Sequence, residues 1–199
     1  SCRGRFARNQ PATGHTIMYK ANVALSQLII VDMQVKLATA MSAEALQSAV
    51  KNCAILAQAA NLLAVPIIAT EQYPQGLGET LPELKTHLTT AKIISKTAFS
   101  ACGEPKFNQQ LQRENSHIIL VGMEAHICVL QTALDLQHAN KQVFVVEDAI
   151  ISRNQTNKAN AIARLQEAGC VITNTESVLF EWLGSANHDA FKAISKLIK

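Results

Sequence analysis

The sequence predicts an α/β protein, one domain built on a parallel β-sheet that helices cover on both faces. Three observations lead there. From residue 28 onward, six short β-branched runs alternate with longer amphipathic stretches. Five of the six are near-continuously apolar, which is the pattern of strands buried on both faces. The third is size: 199 residues, 48% hydrophobic and 17% charged, suffice for one full core and fall short of two ordinary domains.

The elements follow in order. The first strand is expected at residues 28–31 and exits on Asp32. Ser42 then caps a helix whose Leu46, Ala49, Val50, Cys53, Leu56, Ala57, Ala60 and Leu63 keep the three-four spacing of one buried face. Strands are expected at residues 65–70, exiting on Thr70 and Glu71, and at residues 92–95, exiting on Lys96. A fourth strand at 117–122 leads from Gly122 into a helix running from near His126 to Asn140. After a strand at 142–147, Asn154 caps a helix with Ile162 and Leu165 inward, and Gly169 closes it. The sixth strand is expected at 170–173, and Thr175 and Asn187 start two short helices. In such a sheet, ligands bind beyond the carboxyl ends of the strands, so these exits are where chemistry is expected.

Charge and composition exclude several classes. The first 20 residues hold Arg3, Arg5, Arg8 and Lys20 and no acid, while the remainder carries 14 basic against 15 acidic side chains. A near-neutral body with 5% aromatics lacks the basic stripe and stacking rings of a nucleic-acid binder. Residues 1–17 have no apolar core of a secretory signal. They are expected to be a flexible N-terminal extension, whether foreign to the natural chain, a native disordered arm or a transit peptide. Met18 is a candidate start, and residues 18–199 form the domain. No apolar run reaches the ~18–20 residues needed to span a bilayer. Cys2, Cys53, Cys102, Cys128 and Cys170 include no C-x-x-C pair, which fits reduced thiols in the cytoplasm.

Familiar motifs fail in turn. The first βα turn, Asp32-Met33-Gln34-Val35-Lys36, has no glycine to admit a pyrophosphate, and there is no Walker loop. His15, His87, His117, His126, His138 and His188 are scattered without ligand spacing, and no G-x-S-x-G elbow occurs. What remains is an acid, a lysine and a cysteine at three strand exits. Cys128 would open a helix, where the macrodipole and unpaired N–H groups favour thiolate; the alternative is an inert buried thiol. Lys96 either directs its charge into the site or is a solvated strand end. Asp32 either transfers protons or caps the following helix. Together they make a complete acyl-transfer set of nucleophile, proton shuttle and electrostatic support.

On these residues the chain resembles the isochorismatase-like cysteine hydrolases, closest to the isochorismatase-domain-containing branch. The carriers are Ile30-Val31-Asp32-Met33-Gln34, the stretch from Thr70 to Gly78, Lys96-Thr97-Ala98-Phe99-Ser100, and Gly122-Met123-Glu124-Ala125-His126-Ile127-Cys128-Val129. The resemblance implies a three-layer α/β/α sandwich on a six-stranded, Rossmann-like parallel sheet. It implies Asp32, Lys96 and Cys128 as a catalytic triad. It also implies a cis peptide at Met123–Glu124, which aims the backbone N–H groups of Glu124 and Cys128 at a substrate oxygen as an oxyanion hole.

Tyr73, Phe99, Glu124 and His126 are candidates to shape the substrate pocket. For Tyr73 and Phe99, core packing is the competing expectation. Nicotinamidases carry an Asp-x-His metal site after the second strand; here Thr70-Glu71-Gln72-Tyr73 stands there, so no metal and no cofactor are expected. The expectation is a hydrolase of small amides or related carbonyl substrates working through a thioacyl-enzyme. A thiol redox sensor pairing Cys128 with Cys102, a nicotinamidase, and a silent interaction protein using the C-terminal helices are the alternatives. The expected partners are a small-molecule substrate and further copies of the chain in a homo-oligomer, with no nucleic acid and no membrane.

Overall fold

The computed structural model describes residues 18–199, and the expectation of a flexible extension at 1–17 lies outside the described residues. Six strands, β1 (Ser26–Val31), β2 (Ile67–Gln72), β3 (Lys92–Lys96), β4 (His117–Met123), β5 (Gln142–Ile151) and β6 (Val171–Thr173), form one sheet in the order β3-β2-β1-β4-β5-β6. Every neighbouring pair is parallel. The helices are α1 (Val35–Ala38), α2 (Ala43–Leu62), α3 (Pro74–Leu77), α4 (Pro82–Lys85), α5 (Pro105–Gln110), α6 (Leu130–His138), α7 (Gln155–Glu167), α8 (Thr175–Leu183) and α9 (Phe191–Leu197).

The side-chain alternation of β1 divides the core into two layers. Leu28 and Ile30 join Cys53 and Leu56 of α2, Val178 and Trp182 of α8, and Ile194 of α9. Ile29 and Val31 face the other way, with Phe107 of α5, Leu130 and Leu136 of α6, and Leu165 of α7. The result is the expected three-layer α/β/α sandwich. Strand order reverses between β1 and β4, which makes the carboxyl ends of those two strands the topological switch point.

Four differences from the expected elements stand out. β2 begins two residues late, because the Val65 N–H turns back to the Ala60 carbonyl at 2.8 Å and Pro66 has no N–H to give. It gains Glu71 and Gln72, paired with Ser95 and Lys96. β5 continues to Ile151 through a register shift against β4 between Leu120 and Gly122. The polar Glu147 and Asp148 hid that continuation, and Asp148 accepts from the Thr175 N–H and hydroxyl at 2.9 and 2.8 Å. The helix expected from His126 opens as a π turn, Ala125–Val129, and becomes α-helical at Leu130. The last helix starts at Phe191 rather than Asn187. Trp182, Leu183 and Ile194 are buried in the core, which leaves the C-terminal helices less apolar surface for the interaction role.

Two positions carry testable consequences. Gly122 has φ +128, and a Cβ there would lie 2.1 Å from the Val31 carbonyl oxygen. Gly122→Ala should therefore destabilise the fold by ~2 kcal/mol or more, read as a lowered urea midpoint. His117 is buried against Phe144, with ring centroids 5.1 Å apart, and accepts the Asn22 N–H at Nδ1 over 3.1 Å. Burial lowers its pKa from the ordinary 6.5. The neutral imidazole thus stabilises the fold above about pH 6.5, and that contribution is lost as the pH falls through the lowered value. His117→Asn, which keeps an acceptor and does not titrate, should show a shallower loss of stability between pH 6.5 and 5.

Candidate active site

Asp32 follows the last residue of β1 and takes φ +51, a left-handed conformation that aspartate tolerates better than most side chains. Its backbone is held at both ends: its N–H donates to the Thr70 carbonyl at 3.0 Å, and its carbonyl accepts from the Gln34 N–H at 2.9 Å. The carboxylate is fully buried. Thr70 Oγ1 donates to Oδ1 at 2.7 Å, and Lys96 Nζ donates to Oδ2 at 2.9 Å.

Lys96 stands at the end of β3, an otherwise half-exposed edge strand, yet its own side chain is wholly buried. Its ammonium also meets Gln72 Oε1 at 2.7 Å and the carbonyls of Ala98 and Phe99 at 3.1 and 2.9 Å. Four acceptors surround three protons, so the charge is fully solvated by protein. Gln72 is fixed in turn: its N–H donates to Gln34 Oε1 and its Nε2 to the Thr97 carbonyl, both at 2.7 Å. Gln34 Nε2 closes the chain on the carbonyls of Gln72 and Gly78 at 2.9 and 2.7 Å.

Cys128 lies in the π turn beside this pair and is 7% exposed. Its thiol is pushed up to about 12, first by burial and then by the Asp32 carboxylate, with Lys96 pulling partly the other way. This corrects the expectation of a thiolate at the start of an α-helix. The α-helix begins two residues later, and at neutral pH the sulfur holds its proton. Cys102, the expected redox partner, is likewise pushed up, to about 11, chiefly by burial.

The peptide bond between Met123 and Glu124 is cis. In the turn that follows, the N–H groups of Ile127 and Val129 donate to the Glu124 carbonyl at 3.1 and 3.2 Å, and that of Cys128, between them, does not. Glu124 turns a buried carboxylate to Arg153, whose backbone N–H and Nε donate to Oε1 at 3.0 and 3.1 Å. His126 pairs through Nδ1 with Ser152 Oγ at 2.8 Å. Tyr73 and Phe99 are each 55% exposed, so neither ring belongs to the core. Both are nonetheless tied to Lys96, since the Tyr73 N–H donates to its carbonyl at 2.8 Å and the Phe99 carbonyl accepts from Nζ. Glu71 turns instead to Thr80, accepting its N–H at 2.5 Å and its hydroxyl at 2.8 Å. Among the described residues no three His, Cys, Asp or Glu side chains gather as a metal site.

Gln72 and Arg153 are members that reading the sequence did not single out, and Thr70 is marked there only as a strand exit. Thr70 pairs with Val31 across the β1–β2 ladder, and Gln72 pairs with Lys96 across β2–β3. A register assignment would have found both.

The isochorismatase domain family model matches residues 26–177. Isochorismatase domain-containing protein 2 of Bos taurus is 39% identical over 196 residues, covering 98% of this chain and 90% of its own. A solved structure titled as the MAR1 ribonuclease of Caenorhabditis elegans superposes with a TM-score of 0.85 at 38% identity, covering 90% of this chain and 92% of that one. The YcaC gene product of Escherichia coli, described as an octameric hydrolase of unknown specificity, superposes with a TM-score of 0.84 at 22% identity, covering 92% and 91%.

The buried ion pair makes a stability prediction. Lys96→Met would leave a buried carboxylate without its countercharge and should cost ~3–5 kcal/mol in urea unfolding. Thr70→Val, which removes one hydrogen bond to the same carboxylate, should cost ~1–3 kcal/mol.

Proposed function

The chain belongs to the isochorismatase family, and from that membership we propose that it is a cysteine hydrolase of small amides or related carbonyl compounds. The observation that carries this reading is the buried Asp32–Lys96 pair set beside the Cys128 thiol. The thiol is neutral at rest, so attack needs a base at hand, and Asp32 is the carboxylate next to it. Asp32 takes the proton as sulfur bonds to the carbonyl carbon. The C–O π electrons move to oxygen, which the N–H groups of Glu124 and Cys128 receive. The carbonyl re-forms as the C–N bond breaks, and Asp32 returns the proton to the leaving amine. Water, deprotonated by Asp32, then cleaves the thioacyl-enzyme, and the sulfur regains its proton. Lys96, which donates to Asp32 Oδ2, supplies positive charge to the site.

Tyr73 and Phe99 would form the rim of the substrate pocket, with His126 on its β5 side. A redox role loses support because both Cys128 and Cys102 hold their protons well above neutral pH. A nicotinamidase role loses support from the missing Asp-x-His site, and a nucleic-acid substrate from the near-neutral body of the chain. The octameric YcaC relative favours a homo-oligomer. The four thiols among the described residues are unpaired, which favours the cytoplasm. No described helix is long and apolar enough to cross a membrane.

A screen of small amides for ammonia release, run against Cys128→Ala, tests the reading; activity surviving the substitution would overturn it. Asp32→Asn supplies a sharper check. Because the carboxylate raises the thiol's pKa, its removal should move Cys128 alkylation by iodoacetamide to lower pH. Turnover should nevertheless fall by ~10²–10⁴, since the base is gone.

A further inference from the structure

We propose that Thr70 is a positioning residue of the reaction: its hydroxyl fixes the plane of the Asp32 carboxylate and so aims Oδ1 at the Cys128 thiol. The proposal rests on the cysteine-hydrolase reading and adds to it the group that orients the base. Its starting point is the order of the strand ends. Along the carboxyl edge β3 brings Lys96, β2 brings Thr70, β1 leads into Asp32, and β4 leads into the turn that holds Cys128. In that order Asp32 stands between its two donors and the thiol.

The two donors act differently. Lys96 Nζ meets Oδ2 at 2.9 Å and is also held by Gln72 Oε1 and two carbonyls, so it supplies charge at one oxygen. One held oxygen is only a pivot, because the last torsion of an aspartate side chain is broad and selects no plane by itself. Thr70 Oγ1 holds the other oxygen, Oδ1, at 2.7 Å. The hydroxyl has a single proton, the residue is buried, and among the described residues it has no other acceptor. Threonine is also stiff about χ1, and the Thr70 carbonyl accepts the Asp32 N–H at 3.0 Å. One residue thus grips both the backbone and the carboxylate of the base. With Oδ2 facing an ammonium, Oδ1 is the oxygen that takes the proton from sulfur; one of its lone pairs accepts from Thr70 and the other is left for the thiol. Thr70 has no charge of its own, so it contributes direction, together with the partial charge that one hydrogen bond draws from the carboxylate.

The test uses the full chain and compares Thr70→Val, which keeps the shape and removes the donor, with Thr70→Ser, which keeps the donor. The acyl probe is p-nitrophenyl acetate: the S–C bond forms, the C–O bond to p-nitrophenolate breaks, and the thiol's proton passes to Asp32. In Thr70→Val the maximal rate of phenolate release should fall ~10–100-fold with the half-saturating concentration little changed, and Thr70→Ser should recover most of the loss. Alkylation of Cys128 by iodoacetamide at about pH 9, resolved by peptide mass, separates orientation from support. The thiol is pushed up first by burial and then by the Asp32 carboxylate. A valine that only loosened the pocket would admit water and speed alkylation. Loss of the hydrogen bond instead leaves more negative charge beside the sulfur, so alkylation should slow ~3-fold or more. Should Thr70→Val fail to fold, Thr70→Cys, whose S–H donates weakly, is read by the same two measurements. Faster or unchanged alkylation, an unchanged maximal rate, or no recovery with serine would overturn the proposal. If Cys128 of the unaltered protein is acylated no faster than Cys102, the cysteine-hydrolase reading itself falls, and the proposal with it.

Discussion

The interaction on which this edge of the molecule depends is the sealed ion pair between Asp32 and Lys96. Burying two charges is costly, and mutual attraction offsets that cost only when the remaining donors and acceptors are satisfied as well. Here they are. Thr70 completes the carboxylate, and Gln72 with the carbonyls of Ala98 and Phe99 completes the ammonium. The requirement spreads outward. Gln34 positions Gln72, and Asp32 and Tyr73 both take positive φ where the chain bends around the pair. Three consecutive strand ends are thereby locked to one another by side chains whose only shared feature in sequence is polarity at the end of an apolar run.

Burial first, and then the carboxylate of that pair, sets the state of the sulfur. Next to a bare carboxylate in a dry pocket, a thiolate would be strongly disfavoured, and Lys96 relieves only part of the repulsion. In the proposed reaction, a protonated thiol beside a carboxylate suits a nucleophile that is activated when substrate arrives. The same surroundings protect the sulfur from casual oxidation, which attacks thiolates.

The carboxyl edge carries a second ion pair of opposite character. Glu124 and Arg153 sit where β4 and β5 end, with the carboxylate buried and the guanidinium largely in solvent. One pair is closed, with both side chains buried; the other leaves its guanidinium largely in solvent. Both are placed by parallel pairing, since Val31 pairs with Gly122 and Met123 with Ile151.

By itself the sequence determined the layers, the six strands, the helix behind Ser42 and the placing of the candidate residues Asp32, Lys96 and Cys128 at or just beyond strand exits. Those features are written locally, in apolar periodicity and in the residue that ends each run. It misplaced β2 by two residues and stopped β5 early, because Glu71, Gln72, Glu147 and Asp148 are polar residues whose partners are distant in the chain. It could not show that Thr70 and Gln72 complete the ion pair, that Arg153 meets Glu124, or that Tyr73 and Phe99 lie outside the core. It also misjudged the thiol, since helix position is local while burial is not. Tertiary structure alone decided these points: register brings residues 38 and 64 positions apart within hydrogen-bonding distance of one carboxylate. The protonation state of a buried group follows from those neighbours and from the loss of water, neither of which any short stretch of sequence contains.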